Sequence, residues 1–241
     1  MPAARPPREI PPLRLPGGHL IPVTVRVSPR AARMALRLHP AVDSVELVLP
    51  AGASLAVALG FLDGKRGWIA AQLARMPPRI TFIDGAVIPV LGVDRELILQ
   101  ELGRGRQPVF QLKASSIEVT GDEASLARRT RAGLADLARD MLASKSRTLA
   151  ARLGKPVAKI SVGDPHSRWG SCASSGNIRY SWRLILAPEP IMDYVVAHEV
   201  SHLAEMNHSA RFWRVVAGLS PDHETARAWL KRHGPQLLRY G

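Results

Sequence analysis

The sequence predicts an α+β protein: a β-rich N-terminal region followed by a small helix–sheet domain organised around one apolar helix. Three observations lead there. Up to about residue 120, runs such as Val23-Thr-Val-Arg-Val27 alternate apolar and polar side chains, the period of a half-buried strand. From Asp122 the period lengthens to that of a helix for about thirty residues, with Leu126, Leu134, Leu137, Met141, Leu142, Leu149 and Leu153 as the apolar stripe. Then Tyr194-Val-Val-Ala-His198-Glu199-Val-Ser-His202 sets two histidines and a glutamate in an otherwise apolar helix.

Composition sets the outer bounds. A chain of 241 residues with 46% hydrophobic and 22% charged side chains is ordinary for a globular protein with a real core. No apolar run reaches membrane-spanning length, and the proline-rich, charged start does not read as a secretory signal. Cys172 is the only cysteine, which excludes an internal disulfide and makes the cytoplasm the expected compartment. The net charge of +13 is compatible with a nucleic-acid partner but does not require one, because the basic residues form no tail or block.

In chain order, residues 1–18 read as a disordered lead-in, rich in proline and poor in large apolar side chains. Residues 19–120 form the β-rich region. Val23–Val27, Met34–Leu38 and Val45–Leu49 suggest three short antiparallel strands. Leu55–Met76 suits one or two helices broken at Asp63-Gly64. Ile80–Ile83, Asp84-Gly85 and Val87–Leu91 read as a hairpin, followed by strands at Glu96–Leu99, Val109–Leu112 and Ile117–Thr120. His19 and His39 are isolated, so this region offers no catalytic constellation.

Residues 121–241 form the second domain. After the long helix, which Gly154-Lys-Pro156 ends, come a strand at Val157–Val162 and another at Asn177–Leu186. Pro188 and Pro190 suit the first turn of the histidine-bearing helix. A helix carrying Phe212, Trp213, Val215 and Val216 ends at Gly218. A last one runs from Asp222 to Arg232 and stops at Gly234-Pro235.

His198 and His202 stand four apart, so on a helix they point to nearly the same side and can share one ion. Neutral imidazole pairs of this kind suit Zn²⁺, and Glu199 is placed to act as general base without being a ligand. His208 can join them only if the helix stops near Glu205–Asn207, with Asn207 as a left-handed terminator and Ser209 as the next N-cap. Glu224 competes for the third position, with His223 beside it a weaker contender.

Together, Arg168-Trp-Gly-Ser-Cys172, Ile178-Arg-Tyr-Ser-Trp-Arg-Leu184, Asp193-Tyr-Val-Val-Ala-His-Glu-Val-Ser-His202 and Asn207-His-Ser-Ala-Arg-Phe-Trp213 resemble the YgjP-like metallopeptidase family, bacterial relatives of the SprT-like zincins. The resemblance is dense over residues 155–235 and thinner toward the N-terminal strands and Gly67-Trp-Ile69. It implies a zincin-like metallohydrolase domain at 121–241, one Zn²⁺ per chain on His198, His202 and His208, and Glu199 as base. The third histidine also invites the metzincin pattern. That assignment fails, because Glu205 replaces its glycine and no methionine follows Met206.

The expected activity is hydrolysis of a peptide or protein substrate. Arg168, His166, Tyr180 and Arg183 are the candidate substrate-orienting residues, and Ile178–Leu184 the candidate edge for an extended peptide. Some family members are assigned instead as nucleotide pyrophosphatases, so phosphohydrolysis at the same site is the alternative, and a nucleic-acid-associated binding module the second. A nucleophilic role for Cys172 is disfavoured, since a thiol in a Gly-Ser-Cys turn suits packing better.

Overall fold

The computed structural model describes residues 8–103, 107, 109–165 and 168–241. The chain divides into two compact units, Met1–Pro78 and Arg79–Gly241. The change of character read from the sequence at 120/121 falls inside the second unit. There, Ile88, Leu97, Ile117 and Val119 share one core with Leu126, Leu134 and Leu142 of the long helix.

In the first unit, β1 (Arg8–Arg14), β2 (Leu20–Ser28), β3 (Ala35–His39) and β4 (Ser44–Pro50) form a sheet of order β1-β2-β4-β3. Helices α1 (Leu55–Asp63) and α2 (Arg66–Ala74) follow, broken where Asp63-Gly64 predicts. Ala58, Leu62 and Ile69 from these helices join Val23, Val25, Val45, Leu47 and Leu49 in the core.

Two expectations are corrected. Residues 8–14 of the expected lead-in pair with β2, and the register shifts between Ile10 and Leu13, across Pro11-Pro12. An edge strand with a bulge is where prolines, which have no N–H to donate, are tolerated. The strands are also not all antiparallel, because β2 pairs parallel with β4. Alternation of apolar side chains fixes which face is buried but says nothing of strand direction.

In the second unit, β5 (Val87–Val90), β6 (Val93–Glu101), β7 (Phe110–Leu112) and β8 (Ser116–Gly121) form a sheet of order β5-β6-β8-β7. The predicted hairpin lies one element later than expected. Ile80–Ile83 is no strand of the sheet, and β5 pairs with β6 through Leu91-Gly92, both at positive φ (55° and 80°). A Cβ on Gly92 would lie 3.2 Å from Pro188 Cα, so this tight turn sits against the start of the histidine-bearing helix.

Helix α3 (Glu123–Arg152) opens with a capping box between Asp122 and Ser125 and packs against α4 (Glu189–Ser201). Lys145 of α3 bridges to Glu189 and Asp193, at 2.7 and 2.6 Å, fastening the two helices where α4 begins.

The last sheet has the order β10 (Gly170–Cys172), β11 (Asn177–Ser181), β9 (Lys159–Gly163). Asn177–Leu186 is therefore strand only to Ser181, and Trp182–Leu186 coils into a 3₁₀ turn. Since β11 is paired on both sides, it cannot be the peptide-binding edge; β10 is at the sheet margin instead.

Helices α5 (Ala210–Leu219) and α6 (His223–Leu237) complete the unit. Gly234-Pro235 does not stop α6, which runs on to Leu237. A Cβ at Gly234 would meet Trp169 Cζ2 at 3.0 Å, so the glycine admits that indole.

Candidate metal centre and its cleft

Helix α4 is buried along most of its length, with Val195, Val196, Ala197 and Val200 in the core, so its two histidines are drawn in by apolar neighbours. The helix ends at Ser201, earlier than the sequence suggests, and His202 is its C-cap in a right-handed conformation. Asn207 is not left-handed. Its side-chain oxygen instead accepts from the backbone N–H of Ser209, at 3.2 Å, folding the connection into an Asx turn. Ser209 then caps α5 as expected, accepting from the N–H of Phe212.

The early stop and tight turn return the chain to α4. One ligand nitrogen each from His198, His202 and His208 lies within 4.8 Å of the others. His198 Nε2 and His208 Nε2 are 3.1 Å apart. Two nitrogens bound to one zinc ion at about 2.0–2.1 Å, at a tetrahedral angle, lie roughly 3.3 Å apart. His202 Nδ1 lies 3.0 Å from the Glu205 carbonyl oxygen; donation there leaves Nε2 free as the ligand. Burial, followed by the neighbouring His202, His208 and Arg227, lowers the His198 pKa to about 4, so its imidazole is neutral at physiological pH, as a ligand must be. The spacing of the three nitrogens, the His202 tautomer and the neutral His198 ring fit a zinc ion.

Aromatic rings fix the imidazoles. Phe212, fully buried, stacks on His202 with centroids 4.5 Å apart, and Trp213 lies 5.9 Å from the His198 ring. Both rings were legible in the sequence as core of α5, but their packing against the histidines was not.

Glu199 stands beside the cluster and is buried. Burial raises its pKa to about 7, partly opposed by the Arg168 guanidinium, so near neutrality it can both take and return a proton. The space for its carboxyl group is made by Gly170 of β10, where a Cβ would come within 2.6 Å of both Glu199 Cγ and Oε1.

The other sequence candidates separate. Arg168 is exposed beside this site. Tyr180 is wholly buried with its hydroxyl 2.9 Å from Ser146 Oγ, so it supports the floor and cannot touch a substrate. Arg183 is also buried, paired with Asp164, donating to the Tyr240 carbonyl oxygen at 3.2 Å and lying over the Trp182 ring. It too is scaffold. His166 lies outside the described residues. Among the described residues the histidine cluster contains neither Glu224 nor His223, and His223 stacks on Trp213. Cys172 is half-buried, and burial, reinforced by the Glu199 carboxylate, pushes its pKa up to about 11.

A cleft of about 340 Å³ opens beside the cluster, lined by Trp169, Tyr194, His198, Glu199, Arg227 and Lys231 among others. A larger cavity of about 670 Å³, between α3 and the α5–α6 connection, contains none of the three histidines and no part of this chemistry. Arg227 and Lys231 are additions of the structure: the sequence offered Glu224 and His223 of the last helix as possible ligands but gave no sign that these two cations line the cleft. Tyr194, one turn before His198, was legible by spacing.

A family model described as YgjP-like, metallopeptidase domain, matches residues 33–233. No curated protein and no solved structure matches the chain.

Proposed function

The chain belongs to the YgjP-like metallopeptidase family, and we propose that it is a zinc-dependent peptidase whose base is Glu199. The carrying observation is the convergence of three imidazole nitrogens within 4.8 Å of one another beside a buried carboxyl group lining the same cleft. His198, His202 and His208 would hold the ion. When bound, zinc supplies Lewis acidity, lowering the pKa of water and polarising a carbonyl group.

The chain's own groups do the rest. Glu199, raised to about 7, accepts a proton from the attacking water and delivers it to the departing amine nitrogen. Its seat against Gly170 fixes the carboxylate in position. Arg168 supplies positive charge at the mouth of the site. An extended peptide can add to the margin of β10, main chain to main chain, with side chains entering the cleft. Trp169, Val195 and Leu230 narrow the cleft with apolar surface.

Metal analysis of the purified protein, coupled to peptide hydrolysis with and without chelator, tests the reading. One zinc per chain and chelator-sensitive cleavage are expected. Phosphate release from nucleoside triphosphates without peptide cleavage would replace it with phosphohydrolysis.

A further inference from the structure

We propose that the cleft selects peptides carrying a carboxylate beside the scissile bond, and that Arg227 and Lys231 of α6 recognise it. This rests on the peptidase reading above and adds a substrate class to it. Both residues line the 340 Å³ cleft together with His198 and Glu199. They stand four apart on α6 and so share one face, and Lys231 with Arg168 also lines an adjoining cavity of about 230 Å³. The acid in the linings of these two cavities is Glu199, which the mechanism already uses.

Ordinary surface decoration does not account for the pair. Like charges four apart on a helix repel. Among the described residues no carboxylate lies within ion-pair distance of Arg227, Lys231 or Arg168. Arg227 is nonetheless held in place, its guanidinium 5.3 Å from the centre of the Trp213 ring, which also neighbours His198 and His208. A guanidinium held by an aromatic ring can still offer its planar fork of N–H donors to a carboxylate, which it matches in two parallel hydrogen bonds. The apolar walls from Val195 and Leu230 suit the aliphatic stem that carries such a group. An Asp or Glu side chain and a free peptide C-terminus present the same chemistry.

The test measures binding to the zinc-loaded Glu199→Gln protein, in which bound peptide is not consumed. Matched peptides carry Glu or Gln at one central position, each with a free or an amidated C-terminus. The carboxylate forms are expected to bind about tenfold more tightly, the worth of one charge-assisted hydrogen bond, with the advantage shrinking at high salt. A Glu-over-Gln advantage that survives amidation assigns the side chain; an advantage confined to the free-acid peptides assigns the C-terminus. In Arg227→Gln and Lys231→Gln, both at exposed positions, the ratio should fall toward one, and Arg227→Glu should reverse it in favour of a Lys peptide. Equal affinities, no measurable binding of any carboxylate peptide, or a ratio unmoved by these substitutions overturns the proposal. So does tighter binding of inorganic phosphate than of every peptide. If the wild-type zinc protein cleaves no peptide, the peptidase reading fails separately, and the binding ratios still decide whether the cleft reads carboxylates.

Discussion

Gly170 and Glu199 are in contact across the β10–α4 boundary so closely that no side chain fits between them: a Cβ on Gly170 would lie 2.6 Å from Glu199 Oε1. The glycine of Arg168-Trp-Gly-Ser-Cys172 is therefore a condition of the carboxylate's position. Gly170→Ala must displace either β10 or the Glu199 side chain, at a cost of about 1–3 kcal/mol for overpacking. Zinc content should be retained while hydrolysis falls at least about tenfold, since small displacements of a catalytic group are expensive. Unchanged turnover in a folded Gly170→Ala protein would remove Gly170 from the site.

The third ligand is tested by metal analysis. His208→Ala leaves two imidazoles and should lose most of its zinc on dialysis. Glu224→Ala should keep one equivalent, because Glu224 stands outside the cluster. The reverse pattern would move the third ligand to α6.

Much of this was legible before any coordinates. The i, i+4 histidines needed only helical geometry, and the third needed only a stop between two helices, which exists, although at Ser201 and by an Asx turn. The break between α1 and α2, the start of α3 at Asp122 and the Ser209 cap of α5 were local signals in the sequence. What could not be read were pairings. Strand direction in β2 and β4, the interior position of β11, and the burial of Tyr180 and Arg183 depend on residues far away in sequence. Arg183 in particular looks like a substrate ligand until Asp164 and the Tyr240 carbonyl are placed beside it.

That buried pair gives a stability prediction. Asp164→Ala strands the Arg183 guanidinium, whose side chain is 1% exposed. Breaking such a pair costs about 3 kcal/mol, at the lower end of the usual range because Asp164 is 34% exposed. Thermal unfolding should shift down clearly in Asp164→Ala; an unchanged midpoint would mean that Arg183 is satisfied by its other contacts.

Cys172 is expected to be inert. A pKa raised from 9.0 to about 11 cuts its thiolate fraction near neutral pH by roughly a hundredfold. Alkylation by iodoacetamide should be correspondingly slow and should speed up with pH well beyond 9, and Cys172→Ser should keep most of the activity. Rapid modification at pH 7, or loss of all turnover in Cys172→Ser with fold and metal intact, would revive a thiol nucleophile.

The proposed role of Glu199, activating water beside an ion it does not bind, is tested most directly by Glu199→Gln. The substitution preserves shape and a hydrogen-bonding oxygen but removes the proton-accepting carboxylate. Zinc per chain and turnover of a chelator-sensitive peptide substrate should be measured on the same preparation. Zinc near one per chain and a rate lower by roughly two to four orders of magnitude, the usual worth of a general base, are expected. Near-normal turnover at full zinc occupancy would contradict it.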